Sequence, residues 1–162
     1  TKIQSNAVEL KMETFDITAL INDIIKRFAI YENDGYSFVF DSSISYFIVA
    51  DKKNIERVIY NLIANAINYT GEDKKIIILL EKNDDILTVN VKDTGLGISE
   101  EDIDLVWNKY FKTNKRHKRE NIGTGLGLSI VKEVLEKHSF EYGVNSSKNQ
   151  GTTFFFKCKI KE

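Results

Sequence analysis

The sequence predicts an α+β fold in which three main helices pack against a mixed, mostly antiparallel sheet, as a two-layer α/β sandwich. Three segments carry apolar residues at the spacing of an amphipathic helix, and shorter segments rich in aromatic and β-branched residues predict strands. The chain has 162 residues, of which 42% are hydrophobic and 29% charged, and this size and composition suit one globular domain with a full core.

The first half of the chain predicts, in order, a strand, a helix, two strands and a second helix. In the first helix, apolar residues recur at i, i+3, i+4 and i+7, and Asp16 precedes them as an N-cap. Asp51 is expected to open the second helix in the same way. The predicted bounds are 12–16 for the strand, 17–28 for the helix, 36–40 and 46–50 for the next two strands, and an apolar stripe over 55–66 in the second helix.

The second half predicts a hairpin, a short helix, a third main helix and two closing strands. Ser99 and Asp102 resemble a capping box, so a short helix is expected to begin there. A polar, mostly basic loop precedes the third helix. The predicted bounds are 74–82 and 86–92 for the hairpin with its turn at 83–85, 112–121 for the loop, 126–138 for the helix, and 141–146 and 152–160 for the strands.

Charge and composition exclude several classes of function. A net charge of −1 gives no overall basic field, so neither nucleic acid nor an acidic membrane surface is expected as a partner. The single cysteine, Cys158, excludes an internal disulfide and suits a reducing compartment. His117 and His138 have no carboxylate or serine partner at motif spacing, so we interpret both as non-catalytic. The opening residues resemble the interior of a longer protein, and we expect a fragment.

Four asparagines mark one edge of the second helix. At about 100° per residue, Asn54, Asn61, Asn65 and Asn68 fall within a sector of about 60° beside the apolar stripe. Because asparagine is a mediocre helix former, the clustering needs a reason. One interpretation is a hydrated polar border; the other is that Asn61 and Asn65 point amide oxygens into a cleft and hold magnesium together with substrate phosphates.

Asp93 continues the apolar face of its strand. Alternation over 86–93 puts it on the same side as Leu87, Val89 and Val91, where an ionised carboxylate is costly unless it is paired. An aspartate before Thr-Gly is also a common turn residue. The alternative function is to accept a hydrogen bond from the exocyclic amine of adenine. Thr152 leads the apolar face of the last strand in the same way, and we expect it to share a water with Asp93.

Glycines precede the third helix, and a basic run lies before them. Gly123, Gly125 and Gly127 lead into the helix, whose free N–H groups form a natural phosphate site. The spacing matches neither a P-loop nor a dinucleotide fingerprint, and alone it is a weak signal. The basic run that includes Lys112 and Arg119 is either solvated surface or a lid that contacts phosphate.

Residues 12–162 resemble the catalytic, ATP-binding domain of sensor histidine kinases. This domain belongs to the wider superfamily of gyrase, ATP-dependent chaperone, histidine kinase and mismatch-repair ATPases. The motifs occur in family order: an N box at 61–70, a first glycine box at 93–97, an F box at 106–112, a second glycine box at 123–128 and a closing Gly-Thr segment at 151–154.

The resemblance implies ATP and Mg²⁺ as cofactors, with the basic loop as a mobile ATP lid. It implies that Asn61 and Asn65 are catalytic and hold magnesium, while Asp93 recognises adenine. The implied ATP-binding set is Asn65, Asn68, Tyr69, Asp93, Gly95, Gly97, Ile98, Tyr110, Phe111, Lys112, Arg119, Gly123, Thr124, Gly125, Leu126, Gly127, Leu128 and Thr152.

The chain departs from the family pattern at three places. Asn68 stands where many members have lysine, so one phosphate contact is either missing or made by the lid. Ile122 stands where glycine is frequent, which stiffens the lid hinge. Trp107 and Tyr110 replace phenylalanines of the F box.

The resemblance also implies partners. The phosphoacceptor histidine lies on a separate dimeric helical hairpin, of which residues 1–11 are expected to be the last turns. A cognate response regulator then receives the phosphoryl group from the full-length protein. The full-length protein is expected to be a homodimer anchored in the cell membrane, with this domain in the cytoplasm.

Three rival interpretations remain at this point. The same fold supports ATPases and serine kinases that act as anti-sigma factors. Asp-Thr-Gly is also the active-site tripeptide of aspartic proteases, which would make the chain half of a symmetric enzyme. A binding module that has lost ATP is the third. Hydrolysis without an acceptor, peptide cleavage and absence of ATP binding, respectively, would identify them.

Overall fold

In the computed structural model of the chain, residues 9–109 and 127–162 are described. The three predicted main helices and the seven predicted strands are present, together with a 3₁₀ helix that the sequence did not predict. The elements are β1 Met12–Asp16, α1 Ile17–Arg27, the 3₁₀ helix Ala29–Asp34, β2 Ser37–Phe40, β3 Phe47–Asp51, α2 Lys52–Tyr69, β4 Lys75–Asn83, β5 Ile86–Asp93, α3 Gly127–Lys137, β6 Glu141–Ser146 and β7 Thr152–Lys159.

The described strands form two sheets. The larger sheet has five strands in the order β2-β4-β5-β7-β6, in which β2 is parallel to β4 and every other pair is antiparallel. Strands β1 and β3 form a separate antiparallel pair, joined to the end of the chain by a bridge between Ile48 and Ile160. The mixed, mostly antiparallel sheet is therefore confirmed, and its division into two sheets is new information.

The core lies between the five-stranded sheet and the helices. Leu87, Val89 and Val91 of β5 are buried on the side that faces α2, as strand alternation predicts. The predicted apolar stripe of α2 is buried against them, and each fully buried aliphatic side chain contributes about 1.5–3 kcal/mol. This packing fixes the rotation of α2, and with it the direction of its asparagine edge. None of the helices in the described ranges has a span long and apolar enough to cross a bilayer.

The prediction of a short helix at Ser99 was wrong. The segment from 100 to 109 consists of turns. The Ser99 hydroxyl does not cap anything: it is buried and has no hydrogen-bond partner in the described part of the chain. Asp102 N–H and Ile103 N–H both donate to the Ser99 carbonyl at 3.0 Å. A single helical turn makes too few backbone hydrogen bonds to extend into a stable helix by itself. The burial of Val106 in the core determines the course of this segment instead.

Asp51 joins three parts of the fold through its carboxylate and its backbone N–H. Its Oδ1 accepts a hydrogen bond from Asn54 N–H at 3.2 Å and caps α2, as predicted. Its Oδ2 accepts from Lys11 N–H at 2.9 Å. Its own N–H donates to His138 Nε2 at 3.0 Å, so Nδ1 carries the proton and donates to the Val134 carbonyl at 2.9 Å. The arriving chain, the start of α2 and the end of α3 therefore meet here.

Asp51→Ala is expected to lower the free energy of unfolding by about 2 kcal/mol, the upper end for an N-cap, because the variant loses the Lys11 bond as well. Burial raises the pKa of the Asp51 carboxyl, but the N–H groups of Lys11 and Asn54 outweigh it and leave the pKa below its ordinary value. The stabilisation is thus present above about pH 3.9, the unfolded value, and is lost as the pH falls through the lower folded pKa.

Urea unfolding at neutral pH and below about pH 4 measures this difference. Asp16→Ala is the matched control, because Asp16 caps α1 through Ala19 N–H at 3.2 Å. Equal losses for the two variants, or a loss at Asp51 that does not change with pH, would contradict the prediction.

Candidate functional site

Asp93 is 1% exposed at the end of β5, on the apolar face predicted for it. Its Oδ1 accepts a hydrogen bond from Gly95 N–H at 2.8 Å, which is the bond expected of a turn residue. This bond uses one of about four acceptor positions of a carboxylate. The turn interpretation and the ligand interpretation are therefore compatible.

The loop after Asp93 fits its surroundings only with glycine at two positions. A Cβ on Gly95 would lie 1.9 Å from the Tyr69 carbonyl oxygen, at the end of α2. Gly97 has φ +82°, and a Cβ there would lie 2.2 Å from the Ser147 carbonyl oxygen. The loop is thus held between the end of α2 and the turn that joins β6 to β7.

A row of polar side chains crosses the ends of three strands. Asp93 pairs with Thr152 of β7, and Thr152 pairs with Ser146 of β6. Directly paired residues lie side by side on one face of a sheet. Thr152 is 1% exposed, and its Oγ1 lies 2.9 Å from Ser146 Oγ. The structure therefore brings Thr152 next to Asp93, as the sequence predicted.

The sequence reasoning missed Ser146. A signal was available: in β6, alternation puts Tyr142, Val144 and Ser146 on one side, so a hydroxyl ends an apolar face, as Thr152 does in β7. The pairing of β6 with β7 was not predicted, and without it nothing connected this serine to Asp93.

Two threonines hold the end of α2 to the glycine loop. The Thr70 hydroxyl donates to the Lys75 carbonyl at 2.7 Å and lies 3.1 Å from the Thr94 hydroxyl. The Thr94 hydroxyl donates to Asp73. Neither threonine was singled out from the sequence. The contacts of Thr70 and Thr94 fix the distance between the end of α2 and Asp93.

The asparagine edge of α2 runs from this loop to the start of α3. Asn68 is 5% exposed, and Asn61 and Asn65 are half-buried. Asn65 Nδ2 is buried without a hydrogen-bond partner among the described residues. Asn61 Oδ1 lies 3.4 Å from where a Cβ on Gly127 would be, so this oxygen faces the first residue of α3.

This end of the edge has the chemistry of an anion and cation site. A buried polar atom without a partner costs about 1–3 kcal/mol, and a bound ligand would remove that cost. The first turn of a helix has unpaired N–H groups and partial positive charge, which favour phosphate. Amide oxygens are suitable ligands for a hard cation that accompanies the phosphate.

Of the remaining predicted site residues, some lie within the described ranges and the others lie outside them. Ile98 is buried, and its N–H donates to Ser146 Oγ at 2.8 Å; Leu128 is half-buried against the core. Trp107 of the F box packs edge-on against Tyr142 and Phe154, with ring centroids 5.0 and 5.4 Å away. The predicted residues that lie outside the described ranges are Tyr110, Phe111, Lys112, Arg119, Gly123, Thr124, Gly125 and Leu126.

The sequence is similar to those of known proteins. Residues 50–162 match the protein family described as "Histidine kinase-, DNA gyrase B-, and HSP90-like ATPase". Sensor histidine kinase WalK of Bacillus subtilis (strain 168) is 28% identical over 165 residues, covering 100% of this chain and 27% of that protein. Sensor protein kinase WalK of Staphylococcus aureus is 30% identical over 167 residues, covering 100% of this chain and 40% of that protein. The chain thus spans less than half of these relatives.

Solved structures share the fold. The nucleotide-free catalytic domain of histidine kinase ThkA has a TM-score of 0.78 and 28% identity, covering 93% of this chain and 97% of that one. Full-length ShkA in complex with AMPPNP has a TM-score of 0.81 at 24% identity, covering 95% of this chain and 32% of that one, and shows the likeness of fold alone. The chain therefore belongs to the family of histidine kinase-, DNA gyrase B- and HSP90-like ATPases, and it has the fold of a histidine kinase catalytic domain.

Proposed function

We propose that this chain is the ATP-binding catalytic domain of a two-component sensor histidine kinase. It donates the γ-phosphoryl group of ATP to a histidine on a separate dimerisation domain. The observation that carries the proposal is the path of the asparagine edge of α2, which leads from the loop of buried Asp93 to the start of α3.

Adenine binds at the Asp93 end. The carboxylate is an acceptor, so it attracts the exocyclic amine of adenine and repels the carbonyl that guanine carries at the same position. Thr152 lies beside it, and the loop through Gly95, Gly97 and Ile98 forms the adjoining wall. Tyr69 ends α2 next to this loop and flanks the nucleotide.

The triphosphate binds at the α3 end. Asn61 precedes Tyr69 by eight residues, which is about 12 Å along a helix. Asn61 and Asn65 would hold Mg²⁺ through their amide oxygens, and the buried Nδ2 of Asn65, which has no partner among the described residues, would donate to a phosphate oxygen. Because amides are neutral, they bind the ion without repelling phosphate. Bound there, Mg²⁺ would neutralise part of the charge of the triphosphate.

The rest of the proposed site comes from the family motifs. Asn68 of α2, and Gly127 and Leu128 at the start of α3, adjoin the proposed binding region of the triphosphate. The lid and second glycine box complete the set with Tyr110, Phe111, Lys112, Arg119, Gly123, Thr124, Gly125 and Leu126.

Phosphoryl transfer needs a second domain. A histidine nitrogen attacks the γ-phosphorus in line while the bond to the β–γ bridging oxygen breaks, and ADP leaves. This chain contributes positioning and charge stabilisation. The acceptor lies on the dimerisation domain of the full-length homodimer, and a response regulator takes the phosphoryl group from there. Of residues 1–11, which the sequence predicts as the last turns of that domain, 1–8 lie outside the described residues and 9–11 are not helical. The full-length protein is anchored in the membrane.

Calorimetric titration with ATP and GTP, with and without Mg²⁺, tests the proposal. We expect ATP to bind more tightly with Mg²⁺ and GTP to bind at least tenfold more weakly than ATP, about 1.4 kcal/mol. Adding the dimerisation domain should then give acid-labile phosphohistidine on that domain only. Phosphohistidine on this chain alone, hydrolysis that needs no acceptor, or no ATP binding would each contradict the proposal.

A further inference from the structure

We infer that Ser146 is a positioning residue that sets the purine specificity of the proposed site, because it fixes the direction of the Thr152 hydroxyl. The inference rests on the proposed function. Ser146 acts on the nucleotide only through Thr152, its direct neighbour across β6 and β7.

One arrangement of protons satisfies all the hydrogen-bond contacts of Ser146 at once. Its Oγ donates to the Gly151 carbonyl at 3.0 Å, and a carbonyl can only accept. Ile98 N–H donates to the same Oγ at 2.8 Å. A hydroxyl has one proton, so when Ser146 gives its proton to Gly151, the contact of 2.9 Å with Thr152 is a hydrogen bond only if Thr152 donates and Ser146 accepts.

The direction of this bond fixes what Thr152 presents to a ligand. Since its single proton points to Ser146, any other group that binds Thr152 Oγ1 must be a donor. Asp93, on the other side of Thr152 in the same row, is an acceptor when ionised. Two neighbouring acceptors match the exocyclic amine of adenine, or a water that donates to both, and they oppose the carbonyl of guanine.

Loss of the Ser146 hydroxyl releases the Thr152 proton. In Ser146→Ala, the Thr152 hydroxyl can turn and donate to the Asp93 carboxylate, which then competes with the adenine amine. It can also turn and donate to the guanine carbonyl. ATP binding becomes weaker and GTP binding stronger, so the two affinities change in opposite directions. A merely structural role would weaken both nucleotides together.

The test compares ATP and GTP affinities by calorimetry on the 162-residue chain and its variants. We expect Ser146→Ala to lower the ratio of ATP to GTP affinity by about tenfold, equal to about 1.4 kcal/mol. Ser146→Thr retains the hydroxyl and should keep most of the ratio. Asn145→Ala is the control, since Asn145 is exposed and faces the opposite side of β6. If Ser146→Ala does not fold, Ser146→Cys replaces it, because a thiol accepts hydrogen bonds only weakly.

The outcomes separate the inference from the proposed function. A lower ratio in Ser146→Ala or Ser146→Cys, restored by Ser146→Thr, supports the inference. Equal weakening of ATP and GTP, or an unchanged ratio, overturns it while ATP binding by the wild type leaves the proposed function intact. Failure of the wild-type chain to bind ATP contradicts the proposed function itself.

Discussion

Asp93→Asn is expected to weaken ATP binding by at least tenfold, about 1.4 kcal/mol, while the fold is retained. The asparagine oxygen can still accept the Gly95 N–H that Asp93 accepts now at 2.8 Å, so the turn stays intact. The new NH₂ group replaces an acceptor with a donor at a position that is 1% exposed. A donor that faces the amine of adenine repels it and leaves a buried polar group unpaired, which is the costly case.

The same substitution should reduce the preference for ATP over GTP, because the new donor can bind the carbonyl of guanine. Calorimetric titration with both nucleotides measures this, and thermal unfolding checks the fold. Asp84→Asn is the matched control: Asp84 is exposed in the β4–β5 turn with φ +57°, a conformation that asparagine tolerates. Unchanged ATP binding in Asp93→Asn would leave Asp93 as a turn residue only.

Local patterns predicted most of the fold. The helices α1 and α2 begin at Asp16 and Asp51 as expected, because a cap and an apolar period act within a few residues of sequence. Strand alternation placed Asp93 on the buried face for the same reason. These features depend on neighbours along the chain, so one sequence is enough to find them.

Features that depend on distant pairing could not be predicted. Ser146 matters only because β6 pairs with β7 and β7 with β5. The capping box at Ser99 failed because tertiary packing outweighs the weak preference of a single turn. The contact between Thr70 and Thr94 joins segments 24 residues apart, and no local period marks it.

The structure and the family membership bear on two alternatives that the sequence left open: the aspartic protease interpretation and the role of the asparagine edge. Asp-Thr-Gly occurs in aspartic proteases, but this chain belongs to another family and has three main helices against its sheet. The asparagines of α2 do not act alike. The Asn54 side chain hydrogen-bonds to the Asp51 carboxylate at the start of the helix, in addition to the Asn54 backbone N–H, whereas the Asn65 Nδ2 is buried without a partner in the described ranges. The Asn54 side chain therefore supports a cap, and the Asn65 side chain has a buried donor that a bound ligand can satisfy.

Asn65→Ala is expected to abolish the effect of Mg²⁺ on ATP affinity and to slow phosphoryl transfer to the dimerisation domain at least a hundredfold, about 2.7 kcal/mol. The thermal stability of the variant should be equal to or higher than that of the wild type. Alanine is the better helix former, and the substitution removes a buried amide whose nitrogen is unpaired in the described structure.

Asn54→Ala on the same helix edge should behave in the opposite way. It weakens the hydrogen bonding of Asp51 and lowers stability by about 0.5–1 kcal/mol, but it leaves Mg²⁺-dependent binding as it is. Calorimetry with and without Mg²⁺, thermal unfolding and labelled-phosphate transfer measure all three quantities. A variant that loses activity but keeps its stability indicates that the replaced residue binds a ligand and does not support the fold. If Asn65→Ala instead loses stability and keeps its response to Mg²⁺, the asparagine edge is a hydrated border and the metal lies elsewhere.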